Sequence, residues 1–291
     1  MASDAHVHPF DLAERLPGAE EERRRLGIRC AASAWNRGQF ACHEELGRAA
    51  AAAGAPPVAL CFGAHPQLPA ETETAKKTTE YNPEETLALL AGLAAEGRLN
   101  AVGEAGFDLF NEKFRSTEEV QDGLFAAQLE IALRYGLPMV LHIRRGMHKI
   151  FAHTGALKKL PAVVFHSYPG TLGEGGALLR RGVAAYFSFG TAILLNHKEA
   201  VRACAGLPAE RLLLETDAPY QPLRGRPFSR WEDLRAVLAG AAALRREAGT
   251  GGGSAAELEA ITDNNFSAVF GTGSYSAASV SSASSTGRAS R

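Results

Sequence analysis

A single-domain (β/α)8 barrel of the TIM type is the α/β fold class this chain predicts, on three observations. Short apolar, β-rich runs recur eight times along it, helical patterns follow them, and 291 residues is a length such barrels fill as one unit. Strand-then-helix alternation implies parallel strands joined by crossovers, with an open doubly wound sheet as the second choice.

The strand runs begin at Ser3, Ile28, Val58, Asn100, Pro138, Ala162, Ala184 and Arg211. Between the third and fourth, "NPEETLALLAGLAAEG" reads as a helix. Asn82 is its N-cap, Pro83 its first residue, Glu85 reaches back as in a capping box, and Gly97 ends it. Between the fourth and fifth, "STEEVQDGLFAAQLEIALRYG" starts on Ser116 as cap, has Glu119 three residues later, and stops at Gly136. After "GTGGGS", one more amphipathic segment runs to about Phe270, so the domain is taken as 1–271. Residues 272–291 are Ser-rich, lack the apolar content to pack, and are expected to be disordered. The stretch from Gln67 to Tyr81, with Lys76 and Lys77, reads as a solvated loop on the active-site side, a lid being the alternative.

Composition narrows the function classes. The net charge of −1 supplies no global basic field, which argues against salt-sensitive wrapping of long duplex DNA and leaves room for a local basic cleft. Cys30, Cys42, Cys61 and Cys204 have no Cys-x-x-Cys spacing and read as buried, reduced thiols. There is no signal-peptide pattern and no apolar run of membrane-spanning length, so a cytoplasmic protein without a membrane partner is expected.

Polar residues then fall at the strand ends. "DAHVH" sets His6 and His8 two apart, so in an extended strand both project to one side and can share a cation. "FGAHP" puts His65 at the end of the third strand, "AVGEAGFD" puts Glu104 on the fourth, and "MVLHIRR" puts His142 on the fifth. "VVFHSYPG" puts His166 on the sixth and "LLLETDAPY" puts Asp217 on the eighth. Singly, each is as well explained by a hydrogen-bonded loop anchor. Together they converge on the mouth where barrels build active sites, and burying so many ionisable groups is costly unless something cationic sits among them. Imidazole and carboxylate suit Zn²⁺, Mn²⁺ or Fe²⁺, and Glu104 is the candidate bridge of a two-metal site. The remaining histidines, His43, His148, His153 and His197, read as solvated surface.

In this order, "DAHVH", "GAHP", "VGEAGFD", "LHIRR", "FHSYPG", "YFSFG", "LLLETDAPY" and "NNFSAVFG" resemble the TatD family of metal-dependent deoxyribonucleases, within the amidohydrolase-like barrels. The resemblance spans Asp4 to about Gly271. It implies two divalent ions, Zn, Mn or Mg, with His6, His8 and Asp217 on one, Glu104 bridging, and His142 and His166 on the other. It places His65 on the substrate phosphate, and Arg144, in the fifth-strand motif, is a candidate to help hold it. Asp217 then acts as general base beside Glu104 in hydrolysing a phosphodiester. The implied substrate is DNA, taken as single strands or 3′ ends and cut 3′ to 5′, with no obligatory protein partner. Two rim segments depart from the family pattern: "YQPLRGRPFSRWED" stands where an Asn-x-Pro-like turn is usual, and Tyr168-Pro169 where Phe-Ser is usual. Phe107, Phe110, Tyr168 and Tyr220 follow strand-end motifs and are candidates to stack unpaired bases, loop packing being the alternative for each. A small-molecule amidohydrolase or phosphoesterase using the same two-metal site is the rival enzyme, and a barrel that binds without turnover is the rival outside enzymes.

Overall fold

The computed structural model describes residues 1–74 and 82–271. Its strands are β1 (Ala2–Val7), β2 (Ile28–Ala34), β3 (Val58–Phe62), β4 (Ala101–Asp108), β5 (Met139–Arg144), β6 (Val163–Phe165), β7 (Ala185–Phe189) and β8 (Leu212–Leu214). Each lies beside the next in one sheet of eight, and neighbouring strands run parallel. The segment after β8 draws the ring together: the Asp217 N–H donates to the His6 carbonyl (3.0 Å) and the His8 N–H to the Ala218 carbonyl (2.9 Å). Every strand begins within one residue of its apolar run. Parallel strands are covered on both faces, so they are written as nearly continuous apolar segments and are easy to read. Phe62, Phe107, Phe165 and Phe187 are fully buried on these strands, with Phe125 packing from a helix.

Two helix starts differ from the pattern in the sequence. In the helix Pro83–Ala95 the Asn82 side-chain oxygen accepts from the N–H of Glu84 (3.0 Å) and of Glu85 (3.4 Å). Glu85 takes the Asn82 side-chain amide (3.2 Å) instead of its backbone N–H, so only half the capping box forms. Gly97 follows the helix at φ +67. Ser116 does not cap the next long helix, which is Glu118–Tyr135 and is preceded by Thr117. Ser116 ends a separate turn, Glu112–Arg115, that Asn111 caps and whose Phe114 is buried. Gly136 stops the long helix as expected.

Further expectations are corrected as well. Cys42 is exposed, whereas Cys30, Cys61 and Cys204 are buried. Leu68–Thr74 is helical, so the Gln67 to Tyr81 stretch is not all loop, and Lys76 and Lys77 lie outside the described residues, as do 272–291. Among the described residues no helix is long and apolar enough to cross a membrane.

His43 is not surface but 1% exposed, and its Nε2 accepts the Phe10 N–H at 3.2 Å. Phe10 lies in the first turn of the helix Pro9–Arg15, where N–H groups lack helical acceptors and no cap side chain serves, so a distant imidazole supplies one. His148 and His197 are exposed, while His153 packs its ring on Phe125 at 4.9 Å. Burial, with the charge of His8, pushes the His43 imidazole down to about 3, so the fold favours the neutral form. The corresponding stability is complete above the ordinary histidine value near 6.5 and is lost as pH falls from there toward 3. His43→Gln keeps an acceptor without titrating. The wild-type stability advantage over it should shrink between pH 7 and pH 5 by roughly 2 kcal/mol, at about 1.4 kcal/mol per pH unit below 6.5. Urea unfolding at the two pH values measures this, and a constant difference would show that His43 titrates normally.

Candidate metal centre at the barrel mouth

Successive even positions of β1 carry the first groups. Asp4 lies deepest, its carboxylate accepting the Thr216 hydroxyl (2.6 Å) and N–H (3.1 Å), which ties β1 to the end of β8. Burial raises the Asp4 carboxyl to about 8. His6 has Nδ1 3.3 Å from Ser33 Oγ on β2, an arrangement that turns Nε2 into the mouth, and His8 follows beside it. Asp217 sits at φ +53, a left-handed conformation that aspartate tolerates better than most residues, with its N–H on the His6 carbonyl. Its Oδ2 accepts from Gln221 Nε2 at 2.6 Å, leaving Oδ1 toward the histidines.

Glu104 reaches the same point because β4 packs unusually close to its neighbours. A Cβ on Gly63 would stand 2.6 Å from the Glu104 carbonyl, and Gly106 runs at φ +136 with its α-carbon against the His142 carbonyl. Two buried glutamines, seven residues apart on the helix Glu118–Tyr135, hold the strand ends beneath the mouth. Gln128 accepts from the Ala64 N–H (2.8 Å) and donates to its carbonyl (3.1 Å), next to His65. Gln121 does the same for Asp108, at 2.8 and 3.1 Å.

The predicted groups meet. Glu104 Oε2 lies 3.5 Å from His6 Nε2, 3.5 Å from His65 Nε2, 3.7 Å from His142 Nδ1 and 3.1 Å from His166 Nε2. Its Oε1 is 3.4 Å from His8 Nε2, and Asp217 Oδ1 stands 3.6 Å from His6 Nε2 and 3.4 Å from His8 Nε2. Donor atoms gather in three overlapping groups, each within 4.8 Å: His6, His8, Asp217; His65, Glu104, His142; and His6, Glu104, His166. His65 therefore joins the cluster about Glu104, although the family pattern puts it on the substrate. Arg144 stands apart at the rim, Nη1 3.5 Å from Asp108 Oδ2.

Burial alone would raise both carboxyls. Instead the charges of His6 and His65 and hydrogen bonds from His142 and His166 hold Glu104 well below the usual range, and His8, His6 and His166 hold Asp217 down. Conversely, burial would lower His166, but its hydrogen bond to Glu104 and the charges of Glu104 and Glu215 raise it well above the usual histidine value. His8 is raised against burial by Asp217 and Glu104, while burial prevails at His65 and lowers it. The carboxylates are thus anionic and ready for a cation. His6 Nε2 is fully buried, has no hydrogen-bond partner, and points between two carboxylate oxygens. A divalent ion accepting imidazole and carboxylate donors satisfies that atom, as an apolar neighbour does not.

The family model for TatD-related DNases matches residues 3–271. The chain belongs to the TatD family. Similar curated proteins include the 3′-5′ ssDNA/RNA exonuclease TatD of Klebsiella pneumoniae (strain 342), 36% identical over 186 residues, 62% of this chain and 68% of that protein. Its namesake in Escherichia coli K12 is 35% identical over 183 residues, again 62% and 68%. Among solved structures, the TatD homologue YjjV of Escherichia coli K12 superimposes with a TM-score of 0.73 at 28% identity, over 92% of this chain and 97% of that one.

Around the TatD-type constellation stand residues that sequence reasoning left without roles. Asp108 Oδ2 lies 3.2 Å from His142 Nε2 and accepts from Gln67 Nε2 at 2.7 Å. Against the effect of its burial, these hydrogen bonds bring the Asp108 carboxyl down to about 2. Glu215 accepts the Ser167 N–H at 2.7 Å and faces His166 Nδ1 at 3.6 Å, an ion-pair distance. Such carboxylates orient ligating imidazoles. Asp108 was within reach of strand periodicity, four residues after Glu104 on β4 and so on the same face, whereas Glu215 and Asp217 lie beyond the end of β8 and Asp217 turns left-handed, so spacing alone does not pair them. Gln221 had no signal, since it belongs to the rim segment that departs from the family pattern. Of the candidate stacking rings, Phe107 and Tyr168 are buried in the core, leaving Phe110 and Tyr220, each 43% exposed.

Proposed function

We propose that this TatD-family hydrolase uses two divalent cations to hydrolyse phosphodiester bonds of single-stranded DNA from the 3′ end. The observation that carries the reading is the meeting of His6, His8, His142 and His166 with Glu104 and Asp217 in one barrel mouth. The names of the Klebsiella and Escherichia relatives, ssDNA/RNA exonucleases, support the substrate class. His6, His8 and Asp217 would hold one ion, His142 and His166 the other, with Glu104 shared. When bound, the ions supply positive charge that polarises the phosphate and offsets the charge developing in the transition state. Asp217, ionised and oriented through Oδ2 by Gln221, takes the proton of the attacking water on Oδ1. His65 has the most exposed side chain of the clustered imidazoles and faces the incoming strand, where Nε2 donates to a phosphate oxygen. Arg144 adds a second positive group at the rim.

The deciding experiment is metal analysis of purified protein followed by assay on labelled single strands, duplexes and small esters or amides. Metal-dependent loss of 3′ nucleotides is the expected result. Hydrolysis of an amide or lactone without any cleavage of nucleic acid would reassign the site to small-molecule chemistry. His65→Ala refines the test: it should keep the metal content and raise KM roughly tenfold or more, the usual effect of losing a hydrogen bond to a charged group, with some loss of kcat. Loss of metal in that variant would make His65 a ligand instead.

A further inference from the structure

Beside the metal centre, a cleft of about 540 Å³ opens between Phe110, Arg144, Arg145, His148 and Pro169. That volume is in the range of ~300–1,000 Å³ occupied by small-ligand sites. Phe110 is 43% exposed while its backbone is fixed, the N–H donating to Asp108 Oδ1 at 3.0 Å. Two guanidinium groups lie over the ring, Arg144 at 3.9 Å and Arg145 at 4.8 Å from its centroid. Arg145 is held by donating from Nη1 to the Phe110 carbonyl (3.0 Å) and adopts φ +59, which side chains other than glycine, asparagine and aspartate seldom take. Among the described residues no carboxylate comes within ion-pair distance of Arg145, and Arg144 has only Asp108 at 3.5 Å. Glu174, on the cleft wall, is engaged by the Thr171 N–H and hydroxyl. The cleft is therefore positive and aromatic in a chain of net charge −1.

We propose that Arg144, Phe110 and Arg145 form a stacking subsite for one unpaired nucleobase of the strand whose end occupies the metal centre, an inference that rests on the nucleic-acid reading above. Bases stack on guanidinium planes as well as on aromatic rings, so a base entering the cleft lies on a surface that is already assembled. Its flanking phosphates meet two cations of which only one is shared with a carboxylate. Continuity with the reaction centre fixes the occupant as part of the same strand: Arg144 Nη1 contacts Asp108 Oδ2, and the same oxygen is 3.2 Å from His142 Nε2. Tyr220 on the opposite rim differs, its hydroxyl bound to Asp11 Oδ2 at 3.1 Å and its ring edge-on to His8.

The test is fluorescence anisotropy with metal-loaded protein and labelled single strands whose phosphorothioate linkages resist hydrolysis. A single abasic position is stepped along the strand from the 3′ end. One position near that end should weaken wild-type binding about tenfold, and its neighbours much less. Phe110→Ala should abolish that position dependence, Phe110→Trp should restore it, and Arg145→Gln should lower the salt slope of binding by about one. Hydrolysis of unmodified strands is followed with the same preparation. Hydrolysis without a position-specific abasic effect overturns the subsite and leaves the nuclease reading intact. A position-specific effect without hydrolysis does the reverse, and no strand binding at all overturns both.

Discussion

Asp217→Asn should lower kcat on single-stranded DNA by roughly 10²- to 10⁴-fold, the range lost with a general base. The change is nearly isosteric, and the left-handed backbone at this position suits asparagine as well as aspartate. Gln221 Nε2 donates to Oδ2, so the new amide turns its carbonyl there and presents an NH₂ group to His6 and His8. A donor then stands where an anionic acceptor stood, which removes the base and repels a cation. Circular dichroism should be unchanged and metal content lower. Turnover within tenfold of wild type would end the assignment of Asp217 as base.

Glu104→Gln is expected to cost still more. One carboxylate oxygen lies within 3.7 Å of four imidazoles, and the other is 3.4 Å from a fifth. Neutralising it removes the charge that both proposed ion positions share. If that forfeits the several kcal/mol a bound metal contributes to the transition state, turnover falls roughly 10³-fold or more, at 1.36 kcal/mol per factor of ten. Mass-spectrometric metal analysis should show well under half the wild-type content. Full metal content with full activity would refute a shared role for Glu104, and full content with lost activity would shift its role from holding ions to handling protons.

What was legible in advance follows from what each group needs. His6 and His8 could be paired from spacing alone, because period-two geometry is local and holds in any strand. The failures at Ser116, His43 and Cys42 share another cause. Whether a hydroxyl caps one helix or ends the previous turn depends on where Phe114 finds its pocket, and whether an imidazole is surface or core depends on which segment packs over it. Phe107 and Tyr168 went to the core for the same reason, while Phe110, three residues after Phe107, stayed outside.

The sequence alone narrowed the fold to a (β/α)8 barrel ahead of an open doubly wound sheet, since eight apolar runs alternate with helical patterns. It also determined which residue types stand at the strand ends, and therefore the chemistry available. Only the tertiary structure decided how those residues divide their work. It brought His65 to Glu104, set Asp108 and Glu215 behind the imidazoles, and turned Gln221 onto Asp217. Apart from the Gln221–Asp217 bond, which spans four residues, these are contacts between side chains far apart in the chain, made at 3.2 to 3.6 Å, and they exist only once the strands are in register.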